Sequence, residues 1–451
     1  MKNQAGSQPS QPAPRILSRE EHSLSRSMLS ENAIKVLQRL NSSGYESYLV
    51  GGCVRDGLLG AHPKDFDVAT NATPDQVKSL FRNAVIIGRR FRIVHVRFGR
   101  EIIEVTTFRG THDDEDDDHR SQRSAAGMLL RDNVWGSIDQ DALRRDFTIN
   151  ALYYDVSDRS IHDWANGIND LEQRRVRLIG DPERRYREDP VRMLRAIRFA
   201  AKLGFEIEPR TAEPISELAP LLLSIPAARM FDEVLKLFLN GAALATYRAL
   251  RERGVFAMLF PATFDAFSVL SWAERFVEQA LINTDERVQQ GKTVTPAFLY
   301  GALLWPGVVM DTIAAMHEGA PHAQAQQQAS QQVIGRQIQH TAIPKRFSFP
   351  MRDIWELQLR LPRRKGKRAE QTLNHPRFRA AFDFLLLREQ AGEIAPGLGD
   401  WWEHYQTAEV SEREAMIREV SHSPRDAEDI PPMPTPPPPR KRRPRRRTPK
   451  A

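Results

Sequence analysis

The sequence predicts an α/β head built on a small mixed sheet, followed by an all-α neck and body and a disordered basic tail. Three observations predict it. Short segments rich in β-branched and aromatic residues, bounded by turn signals, crowd residues 45–155. From about residue 181 apolar residues recur instead at helical spacing, as in "AARMFDEVLKLFL" and "FRAAFDFLLLRE". The last twelve residues, "RKRRPRRRTPKA", hold eight Lys or Arg and no acid. Removing those eight charges from the net +7 leaves −1, so the basicity is mostly a tail of the kind that contacts polyanions through charge.

These shifts in composition divide the 451 residues into a disordered N-terminus (1–25), an α/β head (26–180), a helical neck (181–245), a helical body (246–423) and a disordered Pro/Arg-rich tail (424–451). A single cysteine, Cys53, excludes a disulfide framework and a cysteine-rich metal site. The expected compartment is therefore the reducing cytoplasm. The opening "MKNQAGSQPSQPAPR" lacks the apolar core of a signal peptide, and no run of 18 apolar residues appears, so no membrane partner is expected.

In chain order, Ser30 is placed to cap a helix whose stripe is Ala33, Val36, Leu37 and Leu40, with Gly44 at its end. "ESYLV" reads as a strand, "GGCVRDGLL" as a glycine turn into a short helix, and "DFDVAT" as a second strand. Thr73-Pro74-Asp75-Gln76 has the form of a capping box with Pro at the first helical position. "VIIG", "FRIVHVRF" and "EIIEVTTF" read as further strands, and "DFTINALYYDV" as another. Between them, "THDDEDDDHRSQRS" (111–124) reads as a solvated acidic loop without the glycine spacing of a calcium loop. Later, "EGAPHAQAQQQASQQ" (318–332) reads as a flexible insertion or a polar helix.

Five segments carry chemistry. Gly51 and Gly52 sit between a strand and a helix, where backbone N–H groups can cradle phosphate; an ordinary tight turn uses the same residues. Asp65 and Asp67, in "DFD", project to one face of an extended strand, while Phe66 points to the other. Two like charges so placed repel unless a divalent cation sits between them or one is protonated. Mg²⁺ suits such hard oxygen ligands and leaves room for substrate phosphates. Glu104, flanked by Ile102, Ile103 and Val105, needs a partner or a metal inside its apolar strand and completes the site if that strand lies beside "DFD". Arg144 and Arg145 suit a triphosphate, and Asp146 beside them can orient them or join the carboxylates. Asp189 followed by Pro190 looks like a helix cap, with Gly204 as the stop and Arg192, Arg195, Arg198 and Lys202 along one face. Asp189 and Arg192 together can accept from an adenine N6 amino group and donate to N1.

The ordered series GG-x-x-RD, DFD, EVTTFRG, RRDFTINA and EDPVRMLRAIRFA resembles the bacterial tRNA nucleotidyltransferase/poly(A) polymerase family, within the polymerase-β-like nucleotidyltransferases, over about residues 45–245. The resemblance implies a nucleotidyltransferase head and template-independent addition of nucleotides to RNA 3′ ends. It implies Asp65 and Asp67 as ligands of two Mg²⁺ ions, with Glu104 or Asp146 as the third acid. It carries nucleotide binding onto Gly51, Gly52, Arg55, Arg144 and Arg145, and base reading onto Glu188, Asp189 and Arg192. "VIIGRRFRIVHVRFG" and the segment "IPKRFSFPMRDIWELQLRLPRRKGKR" resemble the poly(A) polymerase branch. That branch implies addition of AMP from ATP, polyadenylation that promotes RNA turnover, by a monomer. Arg363, Arg364, Lys365, Lys367 and Arg368, with Arg442, Arg443, Arg445 and Arg446 of the tail, are the expected RNA-backbone contacts. The alternatives are a CCA-adding enzyme of the same family and a non-catalytic RNA-binding regulator on the same fold.

Overall fold

The computed structural model describes residues 13–88, 92–110, 121–123, 129–132 and 134–422. It forms two compact units, one ending at Ser224 and the next beginning at Ile225, a division that falls inside the expected neck.

The first unit is built on an eight-stranded sheet. Its strands are β1 (Arg15–Leu17), β2 (Ser47–Val50), β3 (Asp67–Thr70), β4 (Ala84–Ile87), β5 (Ile93–Phe98), β6 (Glu101–Thr107), β7 (Leu152–Tyr154) and β8 (Ile161–Asp163). They lie in the order β1-β8-β7-β2-β3-β6-β5-β4. Only β3 and β6 pair in parallel among these neighbours; the other pairs are antiparallel, so the sheet is mixed as expected. Apolar residues such as Leu49, Val68, Val96, Ile103 and Val105 are fully buried, which fixes the register of the strands that carry the charged residues.

Helix α1 (Glu31–Ser42) starts where Ser30 accepts from the backbone of Asn32 and Ala33, and it buries Ala33, Val36, Leu37 and Leu40. The glycine turn opens α2 (Gly52–Leu58), and the Thr73 capping box opens α3 (Pro74–Leu80). The motif RRD lies at the end of α4 (Ile138–Arg144), and the helical pair of the neck is α5 (Pro182–Glu188) and α6 (Val191–Leu203).

Four expectations need correction. The segment 1–25 is not disordered throughout: Arg15–Leu17 pairs with Ile161–Asp163, and Leu17 and Leu24 are buried. Those apolar residues anchor an otherwise polar stretch; Leu24 packs so closely on Gly57 that a Cβ there would meet its side chain at 2.3 Å. Asp65 and Phe66 precede the strand, which begins at Asp67. Residues Thr148–Asn150 form a 3₁₀ turn, leaving only Leu152–Tyr154 as strand. Asp189 is the C-cap of α5, and Pro190 precedes the first residue of α6, so the Asp-Pro pair is a hinge between two helices. The acidic run 111–120 and the tail 424–451 lie outside the described residues; Ser121–Arg123 pairs with Leu129–Asp132 as a short ribbon.

The second unit is helical. Its central helix, α7 (Pro296–His317), is 22 residues long and, against expectation, apolar enough by composition to cross a membrane. In this unit 72% of its apolar window is buried, which identifies a core helix. The polar segment 318–332 falls mostly in α8 (His322–Gln337), which packs on α7, as does α9 (Lys345–Gln358). Trp305, Trp355 and Trp402 are fully buried, and each indole N–H finds an acceptor: Glu393, the Gly301 carbonyl and the Leu361 carbonyl.

Candidate active site

The site forms at the end of β2 and the start of β3, beside the middle of β6. β2 delivers Gly51, whose φ of +82° and ψ of −134° suit glycine and strain any other residue. A Cβ there would lie 3.8 Å from Asp67 Oδ2, 3.8 Å from Arg145 Nη1 and 3.9 Å from the Asn150 carbonyl. The glycine turn, the second acid of "DFD" and the second arginine of "RRD" are therefore neighbours. Phe66 is buried and Asp65 exposed, so the apolar ring pins the loop and leaves the Asp65 carboxylate open beside the partly buried Asp67.

The parallel pairing of β3 and β6 sets Asp67 opposite Glu104, and the antiparallel pairing of β5 sets His95 opposite Glu104 on its other side. His95 Nε2 lies 3.1 Å from Glu104 Oε1. Asp67 is pushed up to about 6, first by burial and then by the Glu104 charge; Arg145 opposes this and Asp65 adds to it. The acids at this point exceed the local positive charge, and their hard oxygens match a divalent cation.

Asp146 has a different environment. Its Oδ2 lies 2.6 Å from Arg195 Nη2, and its Oδ1 accepts from the Phe147 backbone and the Asn150 amide. Burial alone would raise its pKa, but Arg195 and these hydrogen bonds hold it below the ordinary carboxylate value. Asp146 is thus engaged inside the protein, whereas Glu104 faces Asp67.

Arg145 flanks the acids, and Arg144 sits among other arginines. Arg145 donates from Nε to the Tyr153 hydroxyl at 2.8 Å and from Nη2 to Asp141 Oδ2 at 3.2 Å. The Tyr153 hydroxyl in turn donates to Asp141 Oδ2 at 2.6 Å, and Asp141 Oδ1 accepts from the Arg109 backbone. Burial works against the Arg145 charge, but Tyr153 and Asp141 more than offset it and raise its pKa. Arg144 is pushed down to about 10 by burial and by repulsion from Arg109, Arg185 and Arg192. Arg185 is likewise lowered to about 10, by burial and then by Arg192. Repelling buried guanidinium groups with few acids among them make a receptor for a polyanion.

Of the residues expected to read the base, Glu188 ends α5, Asp189 caps it and Arg192 lies on α6. Arg192 donates to the Arg185 carbonyl at 2.7 Å and to Glu188 Oε2 at 3.2 Å. Glu188 also pairs with Arg185 at 3.1 Å, and Arg185 donates to the Arg144 and Arg145 carbonyls, which ties the neck helices to the RRD segment. Arg55 is buried, 2.5 Å from Asn150 Oδ1 and 2.6 Å from Asp56. Gly52 is the first residue of α2.

Sequence reasoning did not single out Asp141, Tyr153, Arg185 or His95. The i, i+4 spacing of Asp141 and Arg145 was a usable signal; the partners from separate strands were not. Among the described residues, Asp155, Asp158 and His162 bring ligand atoms within 4.8 Å of one another, but in the β7–β8 turn, where Ser157 and Ser160 N–H groups already donate to the acids. Of the expected RNA contacts in the second unit, Arg363, Lys367 and Arg368 are exposed, and Arg364 lies over the Trp401 ring beside Lys365. Arg442, Arg443, Arg445 and Arg446 lie outside the described residues.

Three family models match the chain: "Poly A polymerase head domain" over residues 47–177, "Probable RNA and SrmB- binding site of polymerase A" over 204–267, and "Polymerase A arginine-rich C-terminus" over 318–448. Poly(A) polymerase I of Salmonella typhimurium is 52% identical over 415 residues, 91% of this chain and 89% of the relative. A CCA-adding enzyme of Lactobacillus helveticus is 40% identical over 205 residues, 46% of this chain and 49% of that enzyme. Among solved structures, the Bacillus stearothermophilus CCA-adding enzyme in complex with CTP superposes with a TM-score of 0.55 at 26% identity, covering 86% of this chain and 82% of that one.

Proposed function

Because the chain belongs to the bacterial poly(A) polymerase I family, we propose that it adds AMP from ATP to RNA 3′ ends without a template and releases pyrophosphate. It is a nucleotidyltransferase. The observation that carries the assignment of its active site is the convergence of Gly51, Asp67 and Arg145, with Glu104 in register beside Asp67.

Asp65, Asp67 and Glu104 are the residues that would hold Mg²⁺, and two ions suit this chemistry. The raised pKa of Asp67 supports the fit, because the carboxylates carry a repulsion that a divalent cation relieves. When bound, the metal supplies activation of the RNA 3′-OH and charge neutralisation on the triphosphate. The residues do the rest. The backbone N–H groups of the Gly51–Gly52 turn approach phosphate oxygens. Arg145, held by Tyr153 and Asp141, presents its guanidinium next to Asp67, and Arg144 extends the positive receptor. Glu104, rather than Asp146, is the third acid, since Asp146 is neutralised by Arg195 and orients the RRD turn. Asp189 and Arg192 read the adenine edge, with Glu188 and Arg185 holding Arg192 in place. Arg55 supports the turn from behind through Asn150.

The CCA-adding alternative rests on likeness over 46% of the chain at 40% identity, against 91% at 52% for the poly(A) polymerase relative. RNA is the macromolecular substrate, and the exposed cations Arg363, Lys367 and Arg368 are suited to its backbone. The enzyme acts in the cytoplasm, as a monomer. Purified protein given a generic RNA, Mg²⁺ and one nucleotide tests the assignment. ATP alone should give long ladders and CTP alone should give none. Short CMP addition restricted to tRNA ends would make it a CCA-adding enzyme.

A further inference from the structure

A groove in the second unit shares only Arg363 with the residues assigned above. It runs between α8 and α9 and encloses about 410 Å³, room for a nucleoside. One wall is amide-rich: Gln327 and Gln331 stand one turn apart on α8 and are exposed. Their neighbours Gln326 and Ser330 are buried and already engaged, Gln326 donating to the Trp355 carbonyl and Ser330 to the Gln326 carbonyl. The first of these bonds ties α8 to α9, the second stays within α8, and Gln327 and Gln331 are left to face the groove.

The other wall is cationic. Arg352, Glu356, Arg360 and Arg363 follow one another at helical spacing along and just past α9. Glu356 pairs loosely with Arg360, at 3.8 Å. Neither Arg352 nor Arg363 has an acid partner among the described residues, and Arg352 Nε is buried without a hydrogen-bond partner there. His322, at the start of α8, is held below its ordinary pKa by burial and by the Arg388 and Arg363 charges, which marks the same positive field. On the same face of α9, one turn before Arg352, Phe349 leaves 55% of its surface exposed. An aromatic ring beside a row of arginines is how proteins stack the bases of single strands while gripping their phosphates. Amide side chains pair with the N6 and N7 edge of adenine.

We propose that this groove binds single-stranded RNA, with Gln327 and Gln331 reading adenine, Arg352, Arg360 and Arg363 holding phosphates, and Phe349 stacking a base. The inference rests on the polymerase assignment for its choice of ligand: RNA whose growing end is adenine. It gives the body a preference for the product tail.

The test is binding of short labelled oligo(A) and oligo(U) to the full chain by fluorescence anisotropy. Gln327→Ala/Gln331→Ala, at two exposed positions, should weaken oligo(A) about tenfold and oligo(U) less than about twofold. Arg352→Ala should weaken both alike and reduce the salt slope by about one. Unfolding curves confirm that the variants fold. Wild-type affinity in both variants, or equal losses for oligo(A) and oligo(U) in the glutamine variant, would overturn the proposal. Wild type that adds no AMP would sink the polymerase assignment, while the selective oligo(A) loss would still uphold the groove.

Discussion

The head and the helical unit both bury aromatic rings, but they differ in how the charges they bury are matched. In the helical unit the largest buried side chains are aromatic, and the three buried tryptophans are packed and hydrogen-bonded. In the head, Arg55, Asp141 and Glu188 are buried, and Arg144 and Arg185 are crowded against like charges. Burying charge is expensive and adds little to stability. Where a fold does it repeatedly around a glycine turn, the charges are arranged for a ligand. The helical unit spends its interior mainly on packing, and the charges it does bury, Glu233 and the Arg388–Glu393 pair, are matched by opposite charge.

The contrast is sharpest if the acids of the head are removed. Asp65→Ala should lower AMP addition about a thousandfold or more while RNA affinity persists, as measured by single-turnover transfer beside a binding titration. A variant that kept most of its activity would break the assignment. The matching change in the helical unit is Trp355→Ala, which empties a core site. It should cost about 3–5 kcal/mol in denaturant unfolding with little change in the KM for ATP.

Within the head, Glu104 and Asp146 should separate. Asp146→Asn leaves Arg195 without its counter-charge and should cost about 2–4 kcal/mol of stability. Glu104→Gln, at a half-exposed side chain, should barely move the unfolding midpoint but slow transfer about a hundredfold. The reverse pattern would return Asp146 to the catalytic set. Tyr153→Phe removes the hydroxyl that links Arg145 to Asp141. It should raise the KM for ATP about tenfold, the loss of roughly 1–2 kcal/mol of positioning. An unchanged KM would mean that Arg145 holds its place without the hydroxyl.

Much of the head was legible because its chemistry is local. Ser30, the Thr73 capping box, the Gly51 turn and the Gly204 stop are read from a few adjacent residues, and each stands where its type demands. The pairing of Asp67 with Glu104 was anticipated as a condition, and the parallel register of β3 and β6 meets it. What failed depended on distant partners. Arg15–Leu17 looked disordered because three residues carry no signal without β8 to pair with. The ion pair of Asp146 with Arg195 was likewise out of reach, because nothing near Asp146 in sequence points to it. The Tyr153–Asp141–Arg145 triad joins a strand to the end of a helix. In the body, an amide wall and an arginine wall come from helices whose facing is set by packing.

Asp67 carries the stability effect most specific to pH. Its native pKa of about 6 lies above the ordinary carboxylate value, so folding favours its protonated form. That stability is fully present below about pH 4 and is lost as pH rises through 6. Metal-free Asp67→Asn should therefore be more stable than wild type near neutral pH, by about 2 kcal/mol after discounting solvent screening, and equal to it in acid.

The central claim is that the excess charge in the head exists to bind a metal and a triphosphate. Thermal unfolding near neutral pH, with and without Mg²⁺ and a non-hydrolysable ATP analogue, tests it most directly. Mg²⁺ and the analogue together should raise the wild-type midpoint by several degrees and leave Asp67→Asn nearly unmoved. An equal rise in both proteins would contradict the account.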